Sequence, residues 1–262
     1  MSFAVTIDFH DTLFRCDAWF ELEVRDLPSR FLAWRARRDR MPLDEDVAAV
    51  AGARYRDLRA EIKGHGREDD AVGCLRHVFG QMRHPVTESD LHVGVDALFD
   101  ALPPGELMPG ARDALTELWR EEITLGIVSS AIHTPYLLRS VEASGLGQII
   151  ESVATSASTG YYKSRPDIYT VALEAMGAET GRSVHVGDSL EFDVRCAARA
   201  GMRTAWLANG RSLEVDDPVP DVVLPTWSGA AEAILSTLRG SVTPHRSDAR
   251  LTNPITGPGT TA

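Results

Sequence analysis

Lysine is almost missing from this 262-residue chain: Lys63 and Lys163 are the only two. Each therefore stands apart from any background of solvated surface lysines. Positive charge is scarce as a whole, with 27 Lys and Arg against 38 Asp and Glu and a formal net charge of -11. A surface of that sign cannot displace counterions from a phosphate backbone, so no nucleic-acid partner is expected. Cysteine is also rare. Cys16, Cys74 and Cys196 are widely separated and odd in number, with no paired spacing, which reads as reduced thiols and excludes a disulfide framework or a thiolate zinc site. No apolar run approaches the ~18 residues of a membrane span, and the N-terminus shows no basic-then-apolar signal pattern. The expectation is a cytoplasmic protein with no membrane partner and a small-molecule substrate; nothing in the sequence sets the oligomeric state.

What is present is ordinary globular material, 44% hydrophobic and 25% charged. Short strand-like runs recur with helical segments between them, the pattern of an α/β fold with a parallel sheet. They fall at residues 3–7, 123–129, 152–155, 183–186, 203–207 and 221–224, with an amphipathic helix starting near Pro109. More than a hundred residues separate the first two runs, far more than an ordinary crossover needs. That stretch carries no convincing strand. It carries helical periodicities instead: Phe31/Trp34, Val47/Val50/Ala51/Tyr55/Leu58/Ile62, Val72/Leu75/Val78/Phe79 and Leu91/Val95/Leu98. Pro28, Pro42, Gly64-His-Gly66 and Pro85 punctuate them. The division that follows is a core of residues 1–14 and 105–239, an all-helical insert of residues 15–104, and a Pro-, Gly- and Thr-rich tail of residues 240–262 expected to be disordered.

Four motifs stand at strand ends, the edge where open α/β sheets place their ligands. The first is Asp8-Phe-His-Asp-Thr-Leu13. A carboxylate there can attack a phosphoryl or alkyl centre and form a covalent ester, although a lone Asp after a strand is ordinarily a turn or cap. The second is Gly126-Ile-Val-Ser-Ser130, whose Ser129 would offer a hydroxyl and a backbone N–H to an oxyanion. The third is Lys163-Ser-Arg-Pro-Asp-Ile-Tyr169, and the fourth His185-Val-Gly-Asp-Ser-Leu-Glu-Phe-Asp193. The fourth carries two carboxylates, Asp188 and Asp193, five residues apart.

These motifs, in this order, resemble the signatures of the haloacid dehalogenase-like (HAD) hydrolase superfamily, in its helical-cap, phosphatase-like branch. The first resembles Asp-x-Asp-x-Thr-Leu with one departure: His10 stands where the phosphatases carry their acid/base aspartate. The third resembles Lys-Pro-x-Pro-x-Ile-Phe with Ser164 in place of the first proline. The resemblance implies a Rossmann-like core with an inserted helical cap and a Mg²⁺-dependent hydrolase of a small phosphomonoester. It implies Asp8 as nucleophile and His10 as proton shuttle. Thr12, Ser129, Ser130 and Lys163 would bind the phosphoryl group, Ser129 and Lys163 with a catalytic part. The metal would be held by Asp8, the His10 backbone carbonyl, Asp188 and Asp193.

His10 keeps other readings open. C–halogen and C–P hydrolysis both proceed in this superfamily without the second aspartate. A non-catalytic member that binds a phosphorylated ligand or a partner is a third reading. Lys63 raises a Schiff-base role like that of the phosphonate-cleaving branch, but its Gly-His-Gly context suggests an exposed helix end. The basic run from Arg35 to Arg40 reads as a solvated helix face, and Trp19 and Phe20 as pocket lining or insert core.

Overall fold

A computed structural model describes residues 3–240; the tail expected to be disordered lies, from residue 241, outside the described residues. Six parallel strands form the central sheet: β1 (Ala4–Ile7), β4 (Thr124–Ser129), β5 (Ile150–Thr155), β6 (Ser183–Gly187), β7 (Arg203–Leu207) and β8 (Val222–Leu224). Their spatial order is β5-β4-β1-β6-β7-β8. All four residues of β1 are buried, as they must be in a strand covered on both faces by helices. β5 begins two residues earlier than its sequence suggests. Glu151 interrupts the apolar run, and a register shift beside Leu125 and Gly126 accommodates the strand's start.

The chain runs outward from β1 through β4 to β5, then returns across β1 to build β6, β7 and β8 on the other side. β1 is thus the switch point of the sheet, where loops diverge and leave a crevice at the carboxyl ends of the strands. Ile7 is level with Ile127 on one side and Val186 on the other. Asp8 extends the ladder by donating its backbone N–H to Val186 O at 2.9 Å. The next residues, Ser129 at the end of β4 and Gly187-Asp188 at the end of β6, face the same crevice.

Within residues 15–104 stand five helices: α1 (Asp17–Glu21), α2 (Leu27–Asp39), α3 (Glu45–His65), α4 (Ala71–Gln81) and α5 (Glu88–Asp100); a sixth, α6 (Ala111–Arg120), leads into β4. A wide π-type turn, Leu22–Asp26, joins the first two. Asp44, Asp70 and Thr87 each accept a bond from a first-turn N–H of the helix that follows, at 3.0, 2.7 and 3.1 Å. Gly66 ends α3 in the left-handed conformation that glycine adopts without strain. The periodicities are mostly buried as a face requires, but Val50 is exposed.

Two short strands that the sequence did not suggest, β2 (Phe14–Arg15) and β3 (Glu106–Leu107), pair antiparallel where the chain leaves the sheet and comes back. The helices also close onto the sheet through backbone bonds. Ala71 donates to Ile132 O at 3.0 Å, Glu68 to Gly160 O at 3.1 Å and Tyr162 to Gly66 O at 3.0 Å. No helix among the described residues is long and apolar enough to cross a membrane.

Candidate active site

The residues after β1 turn back at once. Leu13 and Phe14 both donate to Phe9 O, at 3.1 and 2.8 Å, and Asp11 is left-handed at φ 55°. Buried Phe9 anchors this loop against Phe14, Trp19 and Tyr136. The loop thereby holds Asp8 at the sheet edge and lifts His10 and Asp11 beside it.

The ammonium of Lys163 reaches into this edge. It donates to Asp8 Oδ1 and, at 2.6 Å, to Asp193 Oδ1. All three groups are buried. Burial pushes the Asp8 carboxyl up to about 7; Lys163 pulls against that shift, and the charges of Asp193 and Asp188 add to it. Burial also opposes ionisation of Asp193, but Lys163 and the His185 bond outweigh it and hold that carboxyl below its usual range. Lys163 is raised, because its two carboxylates overcome its own desolvation.

Asp193 is fixed at every polar atom. Its Oδ1 also meets His185 Nε2 at 3.0 Å, and its Oδ2 accepts the Ser189 backbone N–H at 2.9 Å. His185 and Thr6 are register partners on β6 and β1, and the Thr6 hydroxyl lies 2.8 Å from His185 Nδ1. Burial lowers the His185 pKa against the pull of Asp193, so the ring is neutral, with Nε2–H donating to the carboxylate. Asp193 itself rides on a π-type turn, Leu190–Cys196, of the kind that recurs at functional sites. Gly187 makes room for it, since a Cβ there would stand 2.1 Å from Asp193 Cγ.

Asp188 completes a group of three. Asp8, Asp188 and Asp193 each offer a carboxylate oxygen within 4.8 Å of the others. Asp188 is raised by burial and by Asp193, with Arg211 opposing. Arg211 donates to Asp188 O at 2.8 Å and to its Oδ2 at 3.1 Å, and Trp206 Nε1 donates to the same carbonyl at 2.9 Å. Three clustered carboxylates with one ammonium between them leave negative charge uncompensated, and an all-oxygen donor set of this size fits Mg²⁺.

The cleft above these groups has a volume of about 510 Å³. Asp8, His10, Ser129, Ser130, Lys163, Asp188 and Asp193 all line it. Ser130 also accepts the Lys163 backbone N–H at 3.0 Å, which ties the second motif to the third. Thr12 is placed differently. It is fully buried behind the carboxylates, with its hydroxyl 3.4 Å from Asp8 and 3.5 Å from Asp188, and it does not line the cleft. The His10 side chain does not join the three carboxylates either. It stacks on Phe20 at 4.5 Å, with Asp11 at 3.5 Å and Asp17 at 3.7 Å from its nitrogens.

The roof comes from the helical insert. Trp19, Phe20 and Glu23 enter from α1 and the turn after it, Arg59 and Lys63 from α3. Lys63 is exposed in the last turn of α3, yet it reaches the cleft with its ammonium 5.1 Å over the Phe192 ring. The arginine run from Arg35 to Arg40 lies elsewhere: Arg35 bonds Pro85 O, and Arg38 pairs with Asp39 and Asp90. Sequence reasoning missed His185 as a support for Asp193, and Arg211, Glu23 and Arg59 altogether. The two lysines were visible by their rarity, but nothing comparable marks one arginine among many.

A family model described as haloacid dehalogenase-like hydrolase matches residues 4–201. A glyceraldehyde 3-phosphate phosphatase of Methanopyrus kandleri is 27% identical over 232 residues, covering 83% of this chain and 91% of that protein. A phosphoserine phosphatase of Thermus thermophilus is 31% identical over 117 residues, 44% of this chain and 46% of that protein. Among solved structures, a 2-haloacid dehalogenase from Pseudomonas syringae superposes with a TM-score of 0.67 at 20% identity, covering 90% of this chain and 99% of that one. That last likeness shows the fold alone.

Proposed function

The chain belongs to the haloacid dehalogenase-like hydrolases, and from that membership we propose that it is a Mg²⁺-dependent phosphatase of a small phosphomonoester, working through an aspartyl-phosphate on Asp8. The observation that carries this reading is the cluster of buried Asp8 and Asp193 with half-buried Asp188, the first two bonded to the Lys163 ammonium. A site built to lose an ordinary leaving group from carbon has no use for three carboxylates within 4.8 Å of one another. A site that gathers a divalent cation and a phosphoryl group does. Residues 15–104 would be the cap that closes over them.

Asp8, Asp188 and Asp193, with the His10 carbonyl, would hold Mg²⁺, which supplies compensating charge for the carboxylates and the phosphoryl oxygens. An Asp8 carboxylate oxygen attacks phosphorus in line, and the bond from phosphorus to the leaving oxygen breaks. Lys163 and Ser129 hold the peripheral oxygens as negative charge shifts onto them. His10 gives a proton to the departing alkoxide, then takes one from the water that attacks the aspartyl-phosphate. Phosphate leaves and Asp8 is restored. Thr12, behind the carboxylates, would orient Asp8 and Asp188.

The test is phosphate release from a panel of phosphomonoesters with Mg²⁺ and with chelator, for the native protein and for Asp8→Asn. Turnover that needs Mg²⁺ and disappears in the variant supports the reading. Release of halide from a 2-haloacid in chelator, with no phosphate from any ester, overturns it.

A further inference from the structure

The roof of the cleft contains two buried polar atoms with nothing to bond. Trp19 Nε1 and Glu23 Oε2 have no hydrogen-bond partner among the described residues. The two residues are 3% and 1% exposed, and both line the cleft. They stand four apart on the continuous helical run from α1 into its π-type turn, which puts them on one face. One is a donor only, and the other is a carboxyl whose Oε2 can accept. A buried polar atom left unbonded is costly, so a persistent pair of them marks a place where something else bonds.

The neighbours fix what that something is. Arg59, the nearest strong cation in the roof, is already engaged. Its two terminal nitrogens meet Glu68 at 2.7 and 2.9 Å in a bidentate pair, with the Glu68 side chain fully buried. A carboxylate on the substrate would therefore find no free guanidinium at this pair, the Lys63 ammonium standing apart over the Phe192 ring, and it would face Glu23. An ammonium could donate to Glu23 but would leave the Trp19 indole N–H unbonded. A hydroxyl answers both: its oxygen accepts from Trp19 and its hydrogen goes to Glu23. The ring of Trp19 is held in place for this, stacked at 5.6 Å on Tyr136 and edge-on to Phe9 at 5.7 Å.

We propose that Trp19 and Glu23 form a hydroxyl-recognition pair, so that the preferred substrate is a phosphomonoester whose leaving alcohol carries a further hydroxyl, a hydroxyalkyl or sugar phosphate. This rests on the phosphatase reading of the site below and adds what the helical roof selects. Burial also keeps the Glu23 carboxyl in easy exchange between acceptor and donor, pushing it up to about 8 against the pull of Arg59. A polar pocket of this kind discriminates chiefly by rejecting analogues that leave its own groups unbonded.

The experiment compares glycerol 3-phosphate with n-propyl phosphate, which differ only in the two hydroxyls. O-phosphoethanolamine and phosphoserine are the ammonium-bearing controls. With Mg²⁺ present, kcat/KM for glycerol 3-phosphate should exceed that for n-propyl phosphate by at least about tenfold and exceed both ammonium esters. Trp19→Phe keeps an aromatic ring and removes the indole N–H. That variant and Glu23→Ala should each bring the ratio towards one, whereas Glu23→Gln, which still accepts and donates, should retain most of it. A ratio is unaffected by partial misfolding. A native ratio near one, or preference for phosphoethanolamine or phosphoserine, overturns the pair.

Calorimetric titration of the Asp8→Asn protein with the same two esters separates this inference from the phosphatase reading. A retained affinity ratio without turnover by the native protein keeps the pair and rejects the phosphatase. Equal affinities with good turnover do the reverse, and binding of neither ester rejects both.

Discussion

His185 Nε2 lies 3.0 Å from Asp193 Oδ1, and the Thr6 hydroxyl, 2.8 Å from His185 Nδ1, fixes the ring in that position. The chain Thr6–His185–Asp193–Lys163–Asp8 therefore runs unbroken from the middle of the sheet to its edge. It crosses β1 and β6 and couples the orientation of the candidate nucleophile to the register of two strands. Each member is buried, so each bond acts in a medium where losing it is expensive.

His185→Phe keeps a ring of similar size and removes both bonds. The Thr6 hydroxyl is then left without a partner inside the sheet, and Asp193 Oδ1 keeps Lys163 alone. The expected loss is about 2–4 kcal/mol of unfolding free energy, read from chemical denaturation. Mg²⁺ affinity, read by titration calorimetry, should fall about 10–100-fold, the usual effect of freeing a metal ligand from its outer support. Unchanged affinity in a stably folded variant would mean that Asp193 needs no such support.

Lys163→Met removes the one cation between Asp8 and Asp193. Breaking a buried pair from one side costs about 3–5 kcal/mol, because the remaining charges stay buried and unpaired. In chelator the variant should be destabilised by that order, with Mg²⁺ recovering part of the loss as a substitute cation. Phosphate release should drop by about a thousandfold or more, since a fixed charge on the phosphoryl group is lost. Retention of more than a tenth of the native rate would remove Lys163 from the chemistry.

Gly187→Ala tests geometry without touching any charge. The added Cβ would stand 2.1 Å from Asp193 Cγ and 2.3 Å from its Oδ2, too close to coexist. The carboxylate must move, at about 1–3 kcal/mol for an overpacked site. The expected outcome is a folded protein with normal circular dichroism that needs far more Mg²⁺ for half-maximal phosphate release. A native Mg²⁺ requirement would show that Asp193 can shift without consequence.

Much of this arrangement was readable beforehand, for a physical reason. Buried parallel strands are short apolar runs, and each of Asp8, Ser129 and Asp188 follows such a run directly, so one pattern gave both the sheet and the edge residues. β2 and β3 were not readable, because Phe14-Arg15 and Glu106-Leu107 are too short to show any period. Thr12 was expected at the phosphoryl group; the turn through Phe9, Leu13 and Phe14 sets its hydroxyl 3.4 Å from Asp8 and 3.5 Å from Asp188. The insert was legible as helices but not as a roof. Which of its faces meets the sheet depends on long-range bonds such as Ala71 to Ile132, and no local pattern reports them. Glu23, a buried acid in an otherwise unremarked helical run, is the sharpest instance.

Glu23 also yields a prediction in which stability and selectivity pull apart. Burial raises its carboxyl from 4.5 to about 8, against the opposing pull of Arg59. The folded protein thus holds a proton that the unfolded chain releases near pH 4.5. Stability from this group is unpenalised below that pH, falls as pH rises through the interval, and reaches its full penalty above about pH 8. Glu23→Gln cannot ionise and escapes the penalty. Its unfolding free energy relative to the native protein should therefore rise by about 2–4 kcal/mol between pH 5 and pH 8.5, measured by denaturant titration at each pH. A difference that stays flat with pH would mean that Glu23 titrates as an exposed acid would. A rising difference means that the chain carries at neutral pH a buried acid that the isosteric, neutral amide would replace at a gain in stability. Retaining such a group makes physical sense where a ligand completes its bonding, and the cleft it lines is where that ligand would sit.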